Sequence, residues 1–298
     1  MSATALVRSH PWLRYAIAFV AMVAITGCHS NQKASGTEQA GAPLSVSDVA
    51  FDDIDNIPER QYIVDLARLN VFDGTSGHFN PAASISRGEY IRWLFKANNA
   101  IWWDQPRFQI RPAEGRKATF PDLSASDANF VYIQGFNDAG FAIGFDDKYF
   151  HPNAALTHEQ LLAIKESVDR GGYDHYMKST AHAGEPTGLD HVIGLPDWKD
   201  IGQVKPEFRP LIATLVNDDH QTTTFGLFKG RDLGTIGRTF GSIAMLRPTE
   251  SVTRAQAAAS LWKIGTHSTP QSIETPGPRT AADAIASHDA TPSPSPSP

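Results

Sequence analysis

Three basic residues occupy equivalent positions in a repeated pattern and are the strongest candidates for binding chemistry. Arg87, His158 and Arg254 each follow a proline by six residues, and each comes at the start of a predicted helix. A cation there opposes the helix dipole, at a cost of about 0.3 to 1 kcal/mol. An anion at the same place would meet both the cation and unpaired N–H groups. The pattern therefore predicts three anion-binding positions, with salt bridges from Arg87 and Arg254 to acids of a neighbouring copy as the alternative.

Aromatic residues near these positions are candidates for sugar binding, because their faces stack on pyranose rings. Trp102 and Trp103 follow the first cation-bearing helix, where the pattern changes from helix to linker. We expect exposure at this boundary, and we select Trp103 as the candidate sugar contact. Trp93 and Trp262 lie within helical apolar patterns, which favour a place in the core.

Motifs typical of enzymes and metal sites are missing from the sequence. The chain has no G-x-S-x-G elbow, no H-E-x-x-H pair and no P-loop. The spacings of His175, His182 and His191 fit no usual metal site, and the paired acids of "FDDID" lack the EF-hand pattern. A net charge of −6 argues against nucleic acid as a partner. We therefore predict no catalytic residue, metal or cofactor, although paired carboxylates for glycoside hydrolysis stay open as an alternative.

The elements that must position the three cations recur with them. Each copy opens on an aromatic residue, any residue, an acid and a hydrophobe, and continues through a turn-rich loop to a hydrophobe-x-proline. The opening acids are Asp53, Asp122 and Asp200, which we interpret as structural caps. Helical apolar spacing on both sides of the loop predicts a helix-loop-helix unit in every copy.

Capping signals mark the start of the second helix in each copy. Each cation follows a Ser or Thr and precedes a Glu or Gln by two residues, which is a capping-box pattern. The pairs are Ser86 and Glu89, Thr157 and Gln160, and Thr253 and Gln256. The third copy carries a polar, Gly-rich insertion around 217–241, which we predict to be a loop or hairpin. A helix pair cannot bury both of its apolar stripes alone, so we expect the copies to pack as one all-α body.

This pattern resembles the S-layer homology (SLH) domain, which usually occurs as three tandem copies. The resemblance implies a mainly α fold, in which three helix-loop-helix repeats pack as a pseudo-threefold prism. The grooves between repeats would bind cell-wall polysaccharide, often through an acidic pyruvyl-ketal sugar, with Arg87 and Arg254 at the ligand's carboxylate. His158 departs from the family's pattern, since its charge depends on pH and it lacks the guanidinium fork. Gly74 and Gly144 match the glycine loop that lines the family's groove.

Both ends of the chain are predicted to be non-globular. Residues 1–28 combine a basic start, an apolar run and the ending "ITGC", which resembles the lipobox of bacterial lipoproteins. Cys28 is the only cysteine of the chain and is the predicted lipidation site. We predict a flexible tether over 29–46 and a disordered tail over the Pro/Ser/Thr-rich residues 266–298.

The predicted organisation is therefore that of a lipoprotein with three repeats. The segments are a signal peptide (1–28), a tether (29–46), a first repeat (47–110), a second repeat (116–170), a linker (171–194), a third repeat with its insertion (195–265) and the tail (266–298). The predicted function is non-catalytic anchoring of a membrane, through the lipid on Cys28, to cell-wall polysaccharide. We expect a monomer on the periplasmic face of the outer membrane. The alternative function is a periplasmic wall-modifying enzyme or envelope assembly factor on an SLH-like scaffold.

Overall fold

The computed structural model describes residues 41–115, 117–141, 148–169, 198–224, 233–265 and 277–291, all of which lie in a compact unit that spans 36–298. Within 217–224, Asp219 is the residue whose side chain is described. The signal peptide with Cys28, most of the tether, Gly144 and the linker 171–194 lie outside the described residues. What the sequence indicates for these segments stays a prediction.

The described residues are mainly α-helical, as the sequence predicted. The helices are α1 (Arg60–Arg68), α2 (Arg87–Ile101), α3 (Phe130–Asp138), α4 (His158–Asp169), α5 (Arg209–Thr224), α6 (Gly234–Phe240), α7 (Arg254–Leu261) and α8 (Ala281–Ala290). Strand β1 (Ala50–Phe51) pairs in parallel with β2 (Ser76–Gly77), and β3 (Lys263–Ile264) pairs antiparallel with β4 (Arg279–Thr280). Among these helices, none is long and apolar enough to cross a membrane.

The second helix of each copy begins at a predicted cation. Helices α2, α4 and α7 start at Arg87, His158 and Arg254. At two of these starts the preceding residue caps the helix: Ser86 Oγ accepts the N–H of Glu89 and Thr253 Oγ1 accepts the N–H of Gln256, each at 3.2 Å. These local bonds satisfy N–H groups that the helix itself leaves unpaired, so the helix starts follow from the sequence signals.

The three copies meet at a closed ring of backbone hydrogen bonds. Ile85 N–H donates to Val252 O at 3.0 Å, Val252 N–H to Leu156 O at 2.8 Å, and Leu156 N–H to Ile85 O at 3.0 Å. All three side chains are fully buried, so each of these backbone groups needs a protein partner. Every segment donates to one neighbouring copy and accepts from the other, which relates the three copies cyclically.

The opening acid of each copy accepts hydrogen bonds from the first two residues of the hydrophobe-x-proline segment. The Asp53 carboxylate accepts the N–H groups of Phe79 and Asn80 at 2.8 and 2.7 Å. The equivalent acceptors are Asp122, for Phe150 and His151, and Asp200, for Leu246 and Arg247. The second residue of each pair has a positive φ of 58°, 56° or 53°, a conformation that costs energy outside glycine. The acids therefore act as structural caps, as the sequence suggested.

The insertion of the third copy is helical where it is described, so the predicted loop or hairpin is wrong for these residues. Helix α5 extends to Thr224, and α6 follows it. Ile236 and Thr239 of α6 are buried. The Asp219 carboxylate accepts the N–H groups of Thr235 and Ile236, at 2.8 and 2.7 Å, at the start of α6. Burial and this cap override the weak helix propensity of the local Gly and Thr residues.

The predicted disordered tail contains a strand and a helix, which corrects the prediction for 279–290. Strand β4 pairs with β3, and α8 packs against α1 and α2. Ala281, Ala284 and Ile285 share one face of α8 and are buried. Thr280 and Asp283 form a capping box at its start. The stretch "TAADAIA" thus carries a start signal and an apolar stripe, which the polar composition of the whole tail obscured.

Candidate functional site: junctions between copies

Each predicted cation lies against a neighbouring copy. The cation contacts the hydrophobe of the hydrophobe-x-proline segment in the neighbouring copy. We call each such contact a junction and name it after its cation. The contacts are Arg87 with Phe150, His158 with Leu246, and Arg254 with Phe79. The structure therefore brings each cation to a boundary between two copies, in a cyclic order opposite to the donor order of the backbone ring.

The backbone at each helix start bonds to the same neighbouring loop. At the Arg254 junction, the N–H groups of Arg254 and Ala255 donate to Ala83 O and Pro81 O at 2.8 and 3.0 Å. The equivalent bonds run from Arg87 and Gly88 to Ala154 and Pro152, and from His158 and Glu159 to Glu250 and Pro248. The prediction that unpaired helix-start N–H groups receive an anion is therefore wrong for these groups, because they join the copies to one another.

Arg254 is the motif cation that solvent reaches best. Its side chain is 21% exposed, whereas Arg87 and His158 as whole residues are 2% and 5% exposed. Its Nε donates to Phe79 O at 2.8 Å, and its Nη1 pairs with Glu89 Oε1 at 2.5 Å. Its guanidinium carbon lies 4.6 Å from the ring centroid of Trp93. The pairing with Glu89 is the salt bridge to an acid of a neighbouring copy that the sequence left open as the alternative for Arg254.

Arg87 is buried at a tighter boundary. Its guanidinium carbon lies 4.7 Å from the ring centroid of Phe150. A Cβ on the adjacent Gly88 would approach Pro152 O to 3.0 Å, so a larger residue would push the two copies apart. Gly88 therefore permits the close approach that encloses Arg87.

The structure places His158 in an apolar setting. Its Nδ1–H donates to Leu246 O at 2.7 Å, and its ring centroid lies 4.5 Å from that of Phe240 on α6. Burial lowers the pKa of His158, and the opposing effects of the Leu246 carbonyl and the Glu250 carboxylate do not restore it. The imidazole is therefore held neutral near pH 7, which argues against the charged second groove that the sequence pattern suggested.

The other candidate residues from the sequence differ in their exposure to solvent. Gly74 lies in the exposed loop of the first copy, and a Cβ there would meet nothing within 4 Å. Trp103 is not the freely exposed sugar platform that we expected. Its Nε1 donates to Ser287 Oγ at 3.1 Å, and its ring stacks on His288 at 4.0 Å between centroids, so α8 covers it. Trp102 is buried against Phe108.

Two residues at the junctions were not identified from the sequence. Glu89 was read as a capping-box residue, yet its carboxylate crosses to Arg254. Phe240, on the insertion, covers the ring of His158. Glu89 had a usable signal, since the other two copies carry Gln at that position. Phe240 had none, because no equivalent exists in the shorter copies.

A buried charged network joins α4 to the third copy but does not form an open site. Lys165 pairs with Asp169, and Asp169 Oδ1 also accepts the N–H of Gly265 at 2.9 Å. Burial lowers the pKa of Lys263 to about 8, and the nearby Asp219 carboxylate opposes this shift. The carboxylates of Asp169 and Asp219 are already committed to internal bonds. The network therefore has a structural role inside the fold.

One exposed group has the composition of a metal site. Ligand atoms of Asp52, Asp53 and His78 lie within 4.8 Å of one another. Asp53 already accepts two backbone N–H groups, and His78 Nδ1 contacts Asp52 Oδ1 at 2.6 Å. These bonds account for the arrangement without an ion.

The described fold and its junctions define an α-helical repeat module whose copies interlock through equivalent helix starts. The family model of the S-layer homology domain matches residues 50–91 and 119–162, which correspond to the first two copies as far as α2 and α4. A search of curated proteins found no match to the chain. The two matches support an SLH-domain protein, and such domains are generally cell-wall or cell-envelope anchoring modules.

Proposed function

We propose that the chain is a non-catalytic anchoring lipoprotein whose three SLH-type copies form a pseudo-threefold prism and bind cell-wall polysaccharide at the junctions. The observation that carries the proposal is the cyclic arrangement of the three cations, each of which lies at a boundary between copies. The third copy, around α5 and α7, repeats the backbone bonds of the first two. This equivalence supports three copies where the family model matches two.

The ligand class follows from the chemistry of the Arg254 junction. A partly exposed guanidinium next to the rings of Trp93 and Phe79 suits a sugar that carries a carboxylate. A pyruvyl ketal on a peptidoglycan-linked or secondary wall polymer has this character. Arg87 would contribute after an opening of its boundary, whereas His158 contributes least because burial lowers its pKa.

The membrane side of the proposal rests on the sequence. A lipid on Cys28, in the lipobox-like "ITGC", would hold the chain to a membrane. Acyl chains contribute about 0.8 kcal/mol per buried CH₂, so more than one chain gives stable attachment. The protein would then be a monomer on the periplasmic face of the outer membrane and would link that membrane to the wall.

Sedimentation of the full chain with isolated wall sacculi tests the proposal. The wild-type protein should pellet with intact sacculi and lose binding when acidic secondary polymer is removed. Replacement Arg254→Ala should weaken binding about tenfold, because a charge-assisted hydrogen bond to the ligand is lost. The full chain is required because α8 packs against the first copy.

An exposed arginine that lies at none of the three junctions serves as the control. Arg60, at the start of α1, pairs with Asp55 at 3.2 Å. Replacement Arg60→Ala should leave sacculus binding nearly unchanged. Equal weakening by Arg60→Ala and Arg254→Ala would contradict a specific junction site, and equal pelleting with stripped sacculi would contradict the polysaccharide ligand.

A further inference from the structure

Glu89 behaves differently from the residues at the same position in the other copies. Gln160 Oε1 accepts the N–H of Thr157 at 3.2 Å, and Gln256 Oε1 accepts the N–H of Thr253 at 2.9 Å. Both amides thus fold back onto their own helix start. The Glu89 carboxylate instead pairs with Arg254 across the boundary between the third and first copies. One copy has exchanged a local capping bond for an ion pair between copies.

The ion pair engages one of the guanidinium nitrogens through which Arg254 could bind an acidic ligand. Arg254 Nε is engaged by Phe79 O, and the rings of Phe79 and Trp93 lie beside the guanidinium. Its Nη1 atom is bonded to Glu89 Oε1. A ligand carboxylate that binds the guanidinium at Nη1 therefore competes with Glu89 for this atom. The Glu89 side chain is 25% exposed, so it can move to water without crossing the core.

We propose that Glu89 is a specificity-determining residue, an internal carboxylate that competes with the acidic group of the wall polysaccharide for Arg254. This inference rests on the proposed function. A small anion binds weakly in this competition, because it only replaces the ion pair that Glu89 already makes with Arg254. A polysaccharide displaces Glu89 because it adds contacts along the boundary between copies. The residue thereby lowers affinity at this junction and raises selectivity for an extended acidic glycan.

Replacement Glu89→Gln is the direct test, because the chain already uses Gln at the two equivalent positions. The new amide should turn back to the N–H of Ser86, as Gln160 and Gln256 do, and leave Arg254 to the ligand. Sacculus binding by the full chain should tighten about two- to fivefold, the size expected for release of a partly exposed ion pair. The double variant Glu89→Gln with Arg254→Ala should show no gain.

The matched control is Asp55→Asn, which removes a surface carboxylate paired with Arg60, outside the three junctions. It should not tighten binding. Replacement Glu89→Ala, which also removes the carboxylate, provides a second variant and should act in the same direction as Glu89→Gln. Wild-type affinity in both Glu89 variants, with wild-type protein bound to sacculi, would overturn the inference.

A second arm separates this inference from the proposed function. Sodium pyruvate serves as a small carboxylate, and the Nε–H resonance of Arg254, assigned through Arg254→Lys, reports its binding by NMR. The Glu89→Gln protein should respond at pyruvate concentrations where the wild-type protein does not. Equal responses would overturn the role of Glu89 whether or not sacculi bind. Failure of every protein to bind sacculi, with the pyruvate difference intact, would contradict the polysaccharide proposal and leave the competition at Arg254 supported.

Discussion

The Arg254 and His158 junctions share their backbone bonds and differ in their side chains. At one, Arg254 N–H donates to Ala83 O, and at the other, His158 N–H donates to Glu250 O, at 2.8 and 3.0 Å. The guanidinium is partly exposed and paired with Glu89, whereas the imidazole is buried under Phe240. The comparison teaches that the backbone assembles the copies, while side chains decide which junction can take a charged ligand.

The insertion of the third copy accounts for much of this difference. The opening acid and the turn that it caps are 26 residues apart in the first copy, from Asp53 to Phe79, and 46 apart in the third, from Asp200 to Leu246. The same two hydrogen bonds form in both cases. The added length, including α6, is therefore accommodated without change to the capped turn, and it places Phe240 on His158.

Removal of the opening acid, which caps the same turn in every copy, should have the largest effect on stability. Replacement Asp200→Ala should lower the free energy of unfolding by about 3 kcal/mol, because two hydrogen bonds to a carboxylate are lost and a buried N–H is left unpaired. Asp53→Ala should cost less, since Asp53 is the more exposed of the two acids. Urea denaturation measures both changes.

The neighbouring exposed acid supplies the control for this prediction. Asp52 contacts His78 at the surface, and Asp52→Ala should change stability by less than about 0.5 kcal/mol. A stability of Asp200→Ala equal to that of the wild-type protein would show that the capped turn does not support the third copy.

Helix α8 strengthens the boundary between the third and first copies, and weakening it should have an intermediate effect. Ile285→Ala removes a buried side chain and should cost about 2 kcal/mol of unfolding free energy. Ala286→Ser changes an exposed position of the same helix and should be nearly neutral. Thermal unfolding compares the two, and similar midpoints would mean that α8 is not part of the folded body.

The third comparison uses pH and should give the smallest effect. Because burial lowers the pKa of His158, the folded state favours the neutral imidazole. Its stabilising contribution is complete above the unfolded pKa of about 6.5 and is lost as pH falls through that value toward the lower folded pKa. The melting temperature should therefore fall between pH 7 and 5, and His158→Gln should flatten that slope.

The pH slope of the wild-type protein must be compared with that of His158→Gln, because a neighbouring acid also titrates in this range. Burial raises the pKa of Glu159, which acts in the opposite direction as pH falls. The difference between wild type and His158→Gln isolates the histidine. An unchanged slope in the variant would contradict a neutral, buried imidazole. Wall binding should also fail to strengthen from pH 8 to 6, contrary to what a charged His158 would give.

Local signals predicted much of the scaffold. The caps at Ser86 and Thr253 predicted the starts of α2 and α7, and the proline spacing predicted the equivalence of the three cations. The opening acids were interpreted correctly as caps. The helix in the tail was missed because the Pro and Ser content around it outweighed a short apolar stripe, and the same helix covers Trp103.

The sequence by itself determined where α2, α4 and α7 begin and which residue begins each helix, because capping and apolar spacing act over a few residues. Tertiary structure decided what those cations do. Arg254 meets Phe79 and Glu89 across separations of 175 and 165 residues, and such contacts depend on how the copies pack. Burial and neighbouring charge, which no local pattern contains, then leave one guanidinium accessible and hold one imidazole neutral.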